Sequence, residues 1–357
     1  MKPSTLKATI QKLVVNPLLE VANNGGAVPY RHGTIDWYHN TLLVVGAPGV
    51  GKSDVIAQIA HDNGMRYIIF VGVTADPTDV KGMPLIIDGQ PEFVPFGEIR
   101  DILVTDVPTL FLCEDLGQAR PATQASIMQP LLGRHINGVP VSDMVAFIGA
   151  TNRVEDKSGV QGILECVKSR FTSIIQVEPD LNDSLTWWLE NGMPPELVAF
   201  MRFRGKREPH LFFSPNPSRD MVNTPNPRTI TNAGKASLLG LDPETELEVF
   251  TGCCGKVWAQ EYVGWLKIYR DLPNLDLVIK HPDSAQVPTD PATLYALCGA
   301  LAGESSNGNF KAIIEYANRL PDEFSTLLVV DATKRHPDLM KTVAFTQWAD
   351  KHQHITL

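Results

Sequence analysis

Two short segments carry residue types that could act together on a phosphate ester. The first is "GAPGVGKS", residues 46 to 53, which fits G-x-x-x-x-G-K-[ST]. Gly46, Gly49 and Gly51 let the backbone bend so that its N–H groups face a phosphate chain, with Ala47, Pro48 and Val50 completing the loop. Lys52 places a charge on the β- and γ-phosphates, Ser53 offers a hydroxyl to magnesium, and the helix that starts there presents its positive end. The second is "LFLCEDLGQA", residues 110 to 119, where an apolar run ends in the adjacent acids Glu114 and Asp115. A phosphate cradle needs such an acidic strand end beside it, because the metal takes a further oxygen partner there. By position, Glu114 serves the metal and Asp115 polarises water. The order is unusual, since nucleotide hydrolases normally place Asp before Glu. Asp115 is one methylene shorter than Glu and should fall short of its target unless the backbone compensates. The small Gly117 is expected to leave room for that movement.

The elements that must position these residues follow from the surrounding pattern. "TLLVV", "RYIIFVGV", "TLFLC", "MVAFIGAT" and "TSIIQVE" are apolar, β-branched runs of strand type. Helical stretches such as "KSDVIAQIAHDNG" separate them, which predicts a parallel sheet with helices on both faces. Asp88-Gly89 and Asn137-Gly138, each set between apolar runs, are hairpin signals within residues 82–99 and 133–143. Beyond Val177 the pattern turns helical. The expected organisation is an N-terminal helix and a Gly-Gly and Pro-containing link over 1–40, and a P-loop α/β domain over 41–180. A helical lid domain over 181–300 and a helical extension over 301–357 follow. A Pro- and Asn-rich loop, "SPNPSRDMVNTPNP", interrupts the lid.

Composition narrows the partners. The chain has 357 residues, of which 43% are hydrophobic and 20% charged, as in an ordinary globular protein. Its net charge of −9 argues against a dedicated nucleic-acid binder, which needs clustered Lys and Arg. The short basic run "RFRGKR", 202 to 207, reads as a solvated helix end. No apolar run is long enough to span a membrane and the start lacks a signal-peptide core, so a cytoplasmic location is expected. The five cysteines show neither zinc spacing nor a disulfide framework and read as small buried side chains.

With cradle and acidic strand placed, the chain resembles AAA+ ATPases, and within them the MoxR-like group related to dynein-type modules. "EDLGQARPATQASIMQPLLGRHINGVPVSDMVAFIGATNR" resembles that group's Walker B strand, following helix, hairpin and sensor 1 strand, and includes its A-x-P-x-x-Q as Ala119, Pro121 and Gln124. "DPTDVKGMP", residues 76 to 84, resembles the stretch leading into the helix 2 insert. The resemblance implies that Asn152 is the sensor 1 residue, Arg170 of "KSRF" an arginine finger, and Arg228 of "NPRTI" the sensor 2 arginine. The departures are the Glu114-Asp115 order and Gly117-Gln118 in place of the usual Asn-Arg, which removes a polar pair near the site.

The resemblance also implies ATP and Mg2+ as ligands, ATP hydrolysis, and a homo-oligomeric ring, a hexamer, because Arg170 needs a neighbour's nucleotide. The group's usual task is chaperone-like remodelling of a partner protein, often one with a von Willebrand A domain. Two rival readings remain open at this point. One is a nucleotide-gated assembly factor with weak hydrolysis, and the other is a nucleic-acid motor or loader. The base preference, ATP or GTP, is open as well.

Overall fold

A computed structural model describes residues 1–25, 38–156, 158–216 and 221–352. Most of the expected Gly-Gly and Pro-containing link, part of the Pro- and Asn-rich loop and residues 353–357 lie outside the described residues. The chain forms two compact units, Met1–Pro179 and Asp180–Leu357.

The first unit carries nine strands: β1 (Leu42–Gly46), β2 (Arg66–Val71), β3 (Met83–Ile87), β4 (Gln90–Val94), β5 (Thr109–Glu114), β6 (His135–Ile136), β7 (Val139–Pro140), β8 (Val145–Thr151) and β9 (Ser173–Val177). Five of them form a sheet in the order β2-β5-β8-β1-β9, with every pairing parallel. Each residue of β8 is buried, which requires cover on both faces and accounts for its apolar run without alternation. Because the strands are parallel, the ends of β1, β5 and β8 open on one side. Ligands of open α/β sheets bind on that side.

The N-terminal helices Pro3–Ile10 and Asn16–Asn23 are joined by a π-turn, Gln11–Val15. Leu6, Ile10, Val14, Leu18 and Val21 form one buried stripe at helical spacing. The first helix packs beside the helix Lys52–Asp62, where Lys7 pairs with Asp62 at 2.7 Å. Both expected hairpins are present. Asp88 and Gly89 have φ 50° and 79°, and Asn137 and Gly138 have φ 50° and 83°; two successive positive values are what a two-residue I′ turn requires. The β3–β4 ribbon is exposed along nearly all its length, with Ile86 72% and Phe93 50% accessible. Its register sets Pro84 opposite Phe93 and Ile86 opposite Pro91.

The second unit is helical, as expected. One core gathers Trp188, Phe200, Trp258, Tyr262 and Trp265 from residues 181–270, and another gathers Leu297, Phe310, Tyr316, Leu328 and Trp348. The basic run at 202–207 is a solvated helix end only at the exposed Lys206 and Arg207. It enters a π-turn, Met201–Gly205, and Arg202 donates to the buried Asp331 carboxylate at 2.7 Å. Arg204 pairs with Glu208 and Glu261, and Arg207 lies over the Phe203 ring. Arg202 and Arg204 are half-buried, and Asp331 and Glu261, distant in sequence, with the nearby Glu208, supply their counter-charge. All five cysteines are free. Cys113, Cys254 and Cys298 are buried as expected, Cys253 is half-buried, and Cys166 is exposed. Among the described residues no helix is long and apolar enough to cross a membrane.

Candidate functional site

The cradle connects β1 to the helix Lys52–Asp62. Gly49 and Gly51 have φ 77° and 90°, the left-handed region that glycine adopts without a steric cost. Gly46 is required for another reason: a Cβ there would lie 2.8 Å from the Val177 carbonyl oxygen of β9. Ala47 and Val50 are buried beneath the loop. The Lys52 ammonium, itself buried, donates to Gly46 O at 2.8 Å, Ala47 O at 3.0 Å and Asn152 Oδ1 at 2.8 Å. The cradle lysine and the expected sensor residue are therefore in direct contact. Asn152 follows the last residue of β8, the strand between β1 and β5.

Ser53 Oγ donates to Glu114 Oε1 in a short hydrogen bond. These two oxygens are the ones expected to serve the metal. A hydroxyl and a carboxylate are hard oxygen donors of the kind magnesium takes, and magnesium commonly uses one or two protein ligands beside phosphate and water. The donor set fits magnesium held jointly with a phosphate.

The unusual order of the acids has a conformational cause. Glu114 ends an extended strand and reaches Ser53 with its longer side chain. Asp115 has φ 52° and ψ 37°, the left-handed region, where Asp is several-fold enriched among non-glycine residues. The backbone turns sharply here into a 3-10 turn, Leu116–Gln118. Gly117 does not leave slack, contrary to expectation. It is buried, its N–H donates to Thr151 Oγ1 at 3.2 Å, and a Cβ at this position would run into that hydroxyl.

Three contributors were not singled out as site residues in the sequence. Gln118 Nε2 donates to Asp115 Oδ1 at 3.0 Å, so its position is not a lost polar contact. The Tyr67 hydroxyl of β2 is buried with no hydrogen-bond partner among the described residues; burial first, then the charges of Glu114 and Asp54, hold it well above the ordinary phenol range. Gln124, noted only as part of a pattern, is fully buried. Its amide donates to Ala119 O and Gly162 O and accepts from Leu164 N, which fixes the loop ahead of Arg170. Gln118 had a sequence signal in its separation of three from Asp115 and Gln124 in the A-x-P-x-x-Q pattern, whereas Tyr67 had none.

Arg170 is not joined to the cradle by any hydrogen bond or ion pair among the described residues. Its guanidinium donates to Met128 O at 3.1 Å and to Cys166 O. It lines a cavity of about 460 Å³ with Lys81, Gln129 and Asn137, and the hairpin residue Asn137 donates to Lys81 O. Arg228 is exposed in the first turn of the helix Pro227–Ser237, in the second unit.

No protein-family model and no curated protein matches the sequence. Among solved structures, a point mutant of Thermotoga maritima RuvB is similar with a TM-score of 0.40 and 13% identity, covering 83% of this chain and 82% of that one. The T. maritima RuvB Holliday junction branch migration motor gives 0.38 and 13%, over 82% and 81%. A structure describing katanin self-assembly gives 0.39 and 14%, over 73% and 80%. Likenesses this distant say nothing of activity, and the site geometry stands on its own.

Proposed function

We propose that the chain is an AAA+ ATPase of MoxR type, which couples ATP binding and hydrolysis to chaperone-like remodelling or activation of a partner protein. One observation carries the reading: Lys52 meets Asn152 while Ser53 meets Glu114, so three parallel strand ends converge on one phosphate cradle. Magnesium, when bound with the nucleotide, neutralises charge between phosphate oxygens. Ser53 and Glu114 would hold it. Lys52 supplies the fixed charge on the phosphates, and the cradle N–H groups orient them. Asp115 polarises the attacking water, and Asn152 holds that water or a γ-oxygen.

Arg170, bonded to backbone carbonyls on its own subunit, is assigned to a neighbour's nucleotide, which implies a homo-oligomeric ring, a hexamer. Arg228 ties the helical lid, 181–300, to nucleotide state. A partner with a von Willebrand A domain and a cytoplasmic setting go with this reading. The left-handed backbone at Asp115 gives the Glu–Asp order a conformational reason, which supports a competent site over a decayed one.

The test is ATP turnover by the purified full-length chain at concentrations where it assembles. Magnesium-dependent phosphate release that stops with chelator is expected. Tight ATP binding without turnover, with or without candidate partners, would favour the assembly-factor reading. Turnover that rises only with DNA or RNA would favour a nucleic-acid motor.

A further inference from the structure

We infer that Gln118 is a positioning residue for hydrolysis, aiming the Asp115 carboxylate and braced in turn by the sensor strand. This rests on the ATPase reading above. Asp115 leaves a strand in a left-handed conformation, and its side chain has two rotatable bonds. Nothing in that backbone alone directs the carboxylate at a water. Gln118 does so: the 3-10 turn places it three residues on, and its amide N–H donates to Asp115 Oδ1 at 3.0 Å. No other side chain hydrogen-bonds Asp115 among the described residues. Oδ2 is thus the oxygen left for water.

The Gln118 amide is oriented from its other end. Its Oε1 lies 3.4 Å from Thr151 Oγ1, the last residue of β8 and the one before Asn152. The Thr151 hydroxyl shares its proton between Gln118 Oε1 and Asn152 O at 3.1 Å, and accepts from Gly117 N at 3.2 Å. Gln161 N donates to Gly117 O at 3.0 Å and closes the turn from outside. The turn is therefore clamped on Thr151, and a side chain at 117 is excluded. Asp115, Gln118, Thr151 and Asn152 form one hydrogen-bonded chain, and Asn152 bonds Lys52. The acid that activates water is mechanically joined to the groups that meet the phosphates. A merely structural glutamine would satisfy buried backbone groups, as Gln124 does; Gln118 bridges two side chains of the site.

The experiment is single-turnover and steady-state ATP hydrolysis by the full chain, with nucleotide affinity measured separately. Gln118→Leu should lower kcat by about 10- to 100-fold, the cost of a misplacement near 1 Å. KM and nucleotide affinity should stay within about two-fold, the signature of an interaction made in the transition state. Gln118→Glu keeps the length and an acceptor for Thr151 but has no N–H for Asp115, so it should fall as Gln118→Leu does and guards against a folding defect in the leucine variant. In an Asp115→Asn background, Gln118→Leu should cause no further loss. Wild-type turnover in both Gln118 variants, or a full additional loss on top of Asp115→Asn, would overturn the positioning role alone. A wild-type chain that hydrolyses no ATP would overturn the ATPase reading and this inference with it.

Discussion

Restoring the usual second acid, Asp115→Glu, sets two effects of known direction against each other. The added methylene carries the carboxylate outward by about 1.5 Å, one carbon–carbon bond. If the short acid limits hydrolysis, that reach is worth up to about 100-fold in kcat, since a misplacement of about 1 Å costs that much. This corresponds to about 2.7 kcal/mol of barrier. Against it stands the backbone. At φ 52° a side chain without Asp's local hydrogen bonding costs about 1 kcal/mol or more. That cost falls on folding stability and not on the barrier, so two assays separate the effects. Single-turnover hydrolysis at saturating Mg-ATP should show kcat at or above wild type. Denaturant unfolding, followed by a probe in the first unit, should show a loss of about 1 kcal/mol. In the companion variant Glu114→Asp, the carboxylate draws back from Ser53, and magnesium-dependent nucleotide binding should weaken. A kcat for Asp115→Glu more than ten-fold below wild type, with folding intact, would refute the idea that reach limits the rate.

Lys52→Ala should abolish tight ATP binding, measured by equilibrium titration, because the only cradle ammonium is removed while Asn152 loses its partner. Arg170→Ala should bind nucleotide but hydrolyse it about a thousandfold more slowly. Mixing it with Lys52→Ala subunits should restore part of the activity, and no rescue in rings shown to be mixed would count against a role in trans. Asp331→Ala should destabilise the second unit by about 3 kcal/mol, the low end for a broken buried pair, because Arg202 stays partly exposed while Asp331 is almost fully buried. A melting curve of the second unit unchanged by that substitution would show the pair to be dispensable.

The sheet was legible because its signal is local: the inner strands β1, β5 and β8 are nearly unbroken buried apolar runs, and the edge strands β2 and β9, though half-exposed, keep apolar, β-branched residues. The hairpins were legible for the same reason, since Asp-Gly and Asn-Gly admit two successive positive φ values. The cradle was legible from the fixed spacing of glycines with Lys52 and Ser53. What escaped were contacts set by packing between distant segments. Gln118 shows its use only when Thr151 lies beside it, and Gly117 only when the Thr151 hydroxyl occupies the space a Cβ would take. Arg202 was misread for lack of its partner 129 residues away. The Glu–Asp order is intermediate. Its oddity was visible, but its cause is a single backbone angle, which residue types alone do not display.

The exposed β3–β4 ribbon has a consequence for how the molecule behaves when crowded. A bare two-stranded ribbon carrying Met83, Leu85, Ile86 and Phe93 in solvent is a hazard, since an open strand edge can recruit the edge of another molecule. Each of its strands contains a proline, Pro84 in one and Pro91 in the other, and neither has an N–H to donate. The ribbon can still offer side chains to a visitor, but it is a poor template for continuous strand growth. Sticky contacts at this place should therefore be reversible and should not propagate into fibres.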